Sequence, residues 1–390
     1  MRSMLQSLAS LRLTVVVFAL SIFLIFAGTL AQVHEGIWTV VAKYFRSVIV
    51  TIDFQIFVPQ SIAEIPGAFW FPGGLTLGVV MLVNLVAAHT VRFKLSKRRI
   101  GIIITHLGVI LLLAGEFVTG IAAKEGNMTI LEGQSSNFIE DSRSTELAII
   151  DQSDVVDDLV VVVPDTFLGS GNKEITHNLL PFSINVKEWM PNSVVLGPNQ
   201  DQGLRKGMAD SGTASVYAAI PMPVATGVDE STVDAPSAYI TLSQNGDEIG
   251  TFLLSSFIEQ PQSILVNNKT YWLQLRFTRT YKPFTIHLID FKHDLFTGTQ
   301  MARNYSSLVR LVDKKRNVDR EVLISMNHPL RHAGETFYQA SFLRGDSGTV
   351  LQVVQNPGWL LPYISCTMIT IGMLLHFGNR LVPALRRHSK

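Results

Sequence analysis

Cysteine is nearly absent: Cys366 is the sole thiol in 390 residues. That excludes an intramolecular disulfide, a CxxC redox pair and a multi-thiolate zinc site. Charge is scarce too. Asp, Glu, Lys and Arg make up 16% of the chain, against about 25% in an average soluble domain. The formal net charge of +1 provides no basic field for holding nucleic acid. There are 5 tryptophans and no tryptophan-rich stretch. GxSxG, Walker and HExxH patterns are missing, and no nucleophile stands beside a base. Apolar residues, in contrast, reach 47%. Yet 32 basic and 31 acidic residues are too many for a chain lying wholly in lipid. Composition therefore points to a membrane protein with one substantial aqueous domain, held by an ordinary core rather than by disulfides.

A bilayer core about 30 Å thick is crossed by about 20 apolar residues in a helix. Four stretches qualify: Leu13–Ala31, Gly73–His89, Ile100–Ala123 and Trp359–Gly378. The second is expected to start near Ala68, with Phe69, Trp70 and Phe71 at the interface. A cleaved signal peptide is the alternative for the first, but its apolar run is long and Ala27-Gly28-Thr29 is a loose match to a cleavage site. Basic residues cluster at Arg2 and Arg12, at Arg92, Lys94, Lys97, Arg98 and Arg99, and at Arg380, Arg386, Arg387 and Lys390. With four spans all three clusters fall on one side, so both termini are expected in the cytoplasm. The expected fold is four transmembrane α-helices, three N-terminal and one C-terminal, with a large extracytoplasmic β-rich domain. Residues 1–123 form the three-span region, 124–356 the outer domain, and 357–390 the fourth span and basic tail.

Within 33–66, Ile37, Val40, Val41, Tyr44, Phe45, Val48, Ile49 and Ile52 recur at helical spacing. This predicts an amphipathic helix, either on the outer membrane surface or packed against the outer domain. The outer domain alternates as strands do: Tyr271, Leu273, Leu275 and Phe277, then Phe284, Ile286 and Leu288 after Lys282-Pro283. Further β-rich runs are Leu159–Val163, Phe182–Val186, Ala238–Leu242, Thr336–Ser341 and Thr349–Val354, with turn signals at Asn245-Gly246 and Asn267-Asn268. Gly197–Ala235 reads as a long loop or insertion.

Polar groups within spans cost energy and are kept for use. His106 lies about 9 Å into span three at 1.5 Å per residue; His89 and His376 lie near the same side on spans two and four. Imidazole is a common axial ligand of haem iron, and facing helices can supply a pair. The plainer readings are solvation at the interface for His89 and His376, and an interhelical hydrogen bond for His106, with Asn84 as partner. Gly101, Gly108 and Gly115 recur at heptad spacing on span three and permit close helix contact. Glu116 is placed to reach the outer surface or a partner subunit. His328 and His332 have i, i+4 spacing, but Pro329 and the β context remove its meaning for a metal; His287 and His293 offer nothing better.

Ser10-Leu11-Arg12-Leu13 opening a span that ends Gly28-Thr29-Leu30-Ala31-Gln32 resembles the N-terminal signature of ResB-type (CcsB) proteins of system II cytochrome c biogenesis. Thr105-His106-Leu107-Gly108, Gly115 and the stretch Glu125-Gly126-Asn127-Met128-Thr129-Ile130-Leu131-Glu132-Gly133 are similar to that family's third span and its exit. Asn327-His328-Pro329-Leu330, Gly334, Phe337-Tyr338-Gln339-Ala340-Ser341 and Asn356-Pro357-Gly358 complete the pattern; about residues 155–260 are not matched. The resemblance implies a complex with a multi-span ResC/CcsA-type partner, which carries a tryptophan-rich haem-handling segment. Together the two export haem b, held transiently, and attach it to the CxxCH of apocytochrome c. It also implies that His106 is an axial ligand during passage, with no catalytic residue in this chain alone. Other readings are a membrane scaffold that binds no haem and a b-type electron-transfer subunit.

Overall fold

The computed structural model describes residues 2–58, 62–92, 96, 99–154, 157–171, 174–198, 208–224, 234–258, 260–295, 298 and 302–388. Much of the predicted 197–235 loop, and Lys94, Lys97, Arg98 and Lys390 of the basic clusters, lie outside the described residues. The helices are α1 (Arg2–Leu8), α2 (Leu11–Val40), α3 (Gly74–Arg92), α4 (Ile100–Ala122), the single turn α5 (Asp165–Leu168) and α6 (Leu361–His388). Two compact units form, one chiefly Met1–Lys124 with Asn356–Lys390, the other chiefly Glu125–Ala225 with Ser231–Gln355.

In the first unit four helices carry stretches long and apolar enough to cross a bilayer: Leu11–Val33, Gly74–Val91, Ile100–Ala122 and Leu361–Asn379. The chain is a membrane protein with three such helices N-terminal to a β-rich domain and one after it. The second starts later than the aromatic cluster suggested. Residues Ala68–Pro72 form strand β2, paired antiparallel with β1 (Ile49–Asp53). Gly73 and Gly74 then let the chain turn into α3, because a Cβ on Gly73 would overlap the Ser47 carbonyl and one on Gly74 would lie 2.5 Å from that of Phe45.

The amphipathic helix predicted across 33–66 is corrected. Gly36, at φ 74°, breaks α2 internally. Val41–Phe45 follows as a π-helix, and Ile49 and Ile52 fall in β1 rather than on a helix face. Helical and strand periods both accommodate that apolar spacing. Burial decides which side these residues take: Val40, Tyr44, Val50 and Ile52 are at most 2% exposed. They pack with Val17, Leu24, Ala27, Ala31 and Leu77 of α2 and α3, at about 1.5–3 kcal/mol for each large side chain removed from water. The segment folds back onto its own helices. Lys43 bridges Glu35 at 2.9 Å and Asp53 at 3.4 Å, tying the helix break to β1.

In the second unit the strands run β3 (Lys124–Leu131), β4 (Ser135–Asp151), β5 (Leu159–Pro164), β6 (Ser183–Met190), β7 (Ser193–Leu196) and β8 (Ala218–Pro221). They continue as β9 (Ser237–Gln244), β10 (Asp247–Ser255), β11 (Gln262–Val266), β12 (Lys269–Leu295), β13 (Ala302–Asp313) and β14 (Val318–Ser325). The last are β15 (Leu330–His332), β16 (Glu335–Phe342) and β17 (Gly348–Gln355). One large sheet follows the order β14-β13-β12-β4-β3-β17-β16-β15, with β5 on β4 and β11 on β12; β10-β9-β6 form a smaller sheet.

Two cores result. Phe182, Ile184, Ile240, Leu242 and Phe252 of the small sheet pack on Leu147, Ile149, Leu273 and Leu275 of the large one. Met128, Ile130, Phe284, Ile286, Leu311, Phe337 and Leu351 fill the other core. Strands β4 and β12 serve both. The sequence suggested two strands separated at Lys282-Pro283, but β12 is continuous: register shifts between Phe277 and Arg279 and between Tyr281 and Ile286 absorb the proline, which has no N–H to give to the ladder.

Candidate functional site

Helices α3 and α4 bring His89 and His106 together, their ring centroids 4.9 Å apart at an interplanar angle of 85°. Both rings are half-buried. His89 Nδ1 lies 2.8 Å from the Leu85 carbonyl one turn back. A carbonyl only accepts, so Nδ1 carries a proton, and the neutral tautomer compatible with this bond has its lone pair on Nε2.

Asn84 is not the partner of His106 that the sequence suggested. Its Nδ2 donates to the Leu8 carbonyl at 2.6 Å and the Ser10 carbonyl at 3.2 Å, and its Oδ1 accepts from Thr14 Oγ1 at 2.7 Å. It satisfies the Leu8 carbonyl at the end of α1 and adds a bond to the Ser10 carbonyl, which also accepts from Thr14 N–H; these bonds explain a 3%-exposed amide inside a span.

The glycines of α4 face α6. A Cβ on Gly101 would lie 2.6 Å from the Gly372 carbonyl and from His376 N, and one on Gly108 2.9 Å from the Ser365 carbonyl. At about 100° per residue His106 sits some 160° around α4 from Gly108. The glycines thus join α4 to α6, while His106 projects toward α3. His376 is therefore not set opposite His106 as a second ligand; its ring packs on Phe377 at 5.4 Å. Nor can His89 and His106, as placed, be trans ligands of one iron. Metal–nitrogen bonds of about 2 Å hold trans imidazole centroids about 6 Å apart, more than the 4.9 Å observed. Glu116 is exposed near the other end of α4.

The motif residues of the β-rich unit have local roles. Gly126 is required because a Cβ there would lie 2.6 Å from the Glu140 carbonyl, and Met128 is fully buried. Glu132 and Gly133 (φ 76°) turn β3 into β4, their N–H groups donating to the Ser347 and Leu288 carbonyls; Glu125 is exposed. Asn327, at φ 66°, supplies the left-handed residue of the turn in which Ser325 and His328 exchange backbone hydrogen bonds. That turn joins β14 to β15, the two ends of the large sheet's path. Pro329 leads into Leu330, which is 2% exposed in the core, while His328 and Tyr338 point to the surface. Gln339 accepts from Ser307 Oγ at 2.6 Å and donates to Thr349 Oγ1 at 2.9 Å, linking β13, β16 and β17.

His332 does not pair with His328. Its Nε2 donates to Asp313 Oδ2 at 2.8 Å, and Arg316 reaches the same carboxylate oxygen at 3.0 Å. Burial pushes the Asp313 carboxyl up, but the bonds from His332 and Arg316 outweigh it and hold the group down at about 2. Lys282 and Glu335 form a second buried pair at 2.5 Å. His287 meets Ser135 Oγ, and His293 stacks on Tyr305 and Phe342. Among the described residues no group of three or more His, Cys, Asp or Glu is arranged to hold a metal.

Beside four apolar helices and an imidazole pair between two of them, the β-rich unit contains a stretch, residues 259–350, that matches the ResB-like family model. The resemblance read from the motifs therefore holds, over a segment that includes Asn327-His328-Pro329-Leu330 and Phe337-Tyr338-Gln339. The chain is also similar to Protein NrfI of Wolinella succinogenes, 24% identical over 306 residues. That alignment covers 76% of this chain but 29% of NrfI, so the chain spans less than a third of its relative's length.

The seam between α3 and α4 is what sequence reasoning missed. All three histidines could be assigned to one side of the membrane, but which two meet depends on how α3 and α4 are rotated about their axes.

Proposed function

We propose that this chain takes part in cytochrome c biogenesis as a haem-handling accessory subunit of a system II synthase. In this reading the β-rich domain is extracytoplasmic, both termini are cytoplasmic, and the membrane helices associate with a ResC/CcsA-type multi-span partner. Haem b is the substrate, passed across the membrane and attached to the CxxCH of apocytochrome c. The observation that carries the reading is the His89–His106 pair within the spans of a chain bearing a ResB-like domain. An imidazole donor suits haem iron, and apolar helix faces suit the macrocycle. His106 contributes one axial nitrogen. The opposite nitrogen comes from the partner, since His376 lies on the far side of α4 and His89 is too near to be trans.

The purified complex tests this through its absorbance spectrum. His106→Ala should leave the complex assembled while bound haem and cytochrome c maturation fall, and added imidazole should restore part of both. His376→Ala should leave haem content unchanged. An unaltered spectrum and haem content in His106→Ala would remove the residue from the mechanism and favour a scaffold that binds no haem.

A further inference from the structure

We propose that His89 is the positioning residue for His106: its ring sets the orientation of the His106 imidazole and accepts the N–H that His106 retains when its other nitrogen is on iron. The inference rests on the haem-handling reading and extends it to a second residue. Three observations combine.

The first is the edge contact of the two rings, 4.9 Å between centroids and near perpendicular. It restricts the His106 ring to a narrow range of rotation about its side-chain bonds. The second is the hydrogen bond from His89 Nδ1 to the Leu85 carbonyl at 2.8 Å. That bond anchors the His89 ring to its own helix and selects the tautomer whose Nε2 is an acceptor. The third is exclusion. Two other polar side chains of α3 are engaged elsewhere, Asn84 with Leu8, Ser10 and Thr14 and Thr90 with the Ala87 carbonyl, and α6 packs on the opposite side of α4. An iron-bound imidazole needs an acceptor for its remaining N–H to fix ring orientation and raise its basicity. His89 provides one from within the same chain.

The arrangement also sits where two helix pairs join. α4 meets α6 backbone to backbone along its glycines, whereas it shares a much smaller contact with α3, the helix that also packs on α2. His89 and His106 lie in that smaller contact, so the ring pair bridges the seam.

The test uses the purified full chain loaded with haem b and reduced, read by resonance Raman at the iron–histidine stretch, with size-exclusion profiles to verify folding. His106→Ala should abolish the band. His89→Ala should keep it but at lower frequency, because the ligand loses the acceptor that makes it more basic. His89→Gln, whose amide oxygen accepts, should return it toward the wild-type frequency. A second readout needs no haem: ¹⁵N-histidine NMR of the haem-free chain should show the Nδ1–H tautomer for the ring that disappears in His89→Ala, and a shift of its Nε2 resonance in His106→Ala. An unmoved iron–histidine band in His89→Ala overturns the proposal. So does a band lost in His89→Ala and restored by imidazole, which would make His89 the ligand. An Nε2–H tautomer on His89 also overturns it. If His106→Ala retains the band, the reading of His106 as the haem ligand fails with it, whatever His89 does.

Discussion

Asn84 illustrates how a polar residue inside a span can be structural. Its amide closes the gap between α1 and α2 by serving two carbonyls and one hydroxyl. Asn84→Leu removes the donor to the Leu8 carbonyl, while the Ser10 carbonyl and Thr14 hydroxyl still pair with each other, at about 1–3 kcal/mol for a buried group left unpaired. The expected result is a lower midpoint of thermal unfolding in detergent, with the histidine seam intact. His328 is the opposite case. The fold uses its backbone, and its side chain is exposed, so His328→Ala should leave abundance within the range of an ordinary surface change, about 0.5 kcal/mol. Normal abundance with lost maturation would assign the side chain to docking. Asp313 carries a pH dependence. Its folded value of about 2 lies below the ordinary 3.8, so its contribution is complete above about pH 4 and is lost as pH falls from there through 2. Acid unfolding of the wild type should show this loss, and Asp313→Asn should flatten the profile over that window.

At the scale of elements, the glycines of α4 separate tolerance from failure. Gly101→Val forces a side chain against the Gly372 carbonyl and the His376 backbone, which cannot yield because both are main chain. Overpacking of this kind costs about 1–3 kcal/mol or more. Gly120→Ala and Gly78→Ala meet nothing within 4 Å and should be neutral or slightly stabilising through helix propensity. Thermal midpoints of the three variants check the contrast. The β14–β15 turn is governed by handedness: Asn327→Gly should be tolerated, while Asn327→Ala, which keeps the Cβ and loses the amide that eases Asn into this region, should destabilise by a part of the left-handed cost of about 1–2 kcal/mol. The heptad glycines announced a close helix contact in the sequence. They did not say which helix they would meet, because a small residue marks a face and not its occupant.

For the whole molecule, the proposed orientation predicts reporter activity. A reporter active only outside the cytoplasm should function when fused after Asp151 or Gly246 and fail after Lys97 or Lys390; activity at Lys97 would overturn the arrangement. The β-rich unit should unfold with its two large cores coupled, since β4 and β12 run through each.

Four apolar helices and an intervening β-rich domain were legible because hydrophobic length and strand alternation are local properties of the chain. Phe284, Ile286 and Leu288 alternate inward in β12 as the pattern required, all at most 3% exposed. The motif Asn327–Leu330 was legible as a family pattern, and Gly126, Gly133 and Asn327 stand where a turn or close approach admits little else. What tertiary structure alone decided are the contacts between elements. Helix rotation put His89 rather than His376 beside His106 and gave Asn84 to the α1–α2 break. Burial against α2 and α3 turned an apparent amphipathic helix into a π-turn and a hairpin strand, since a period of apolar residues states that a face is buried without stating against what.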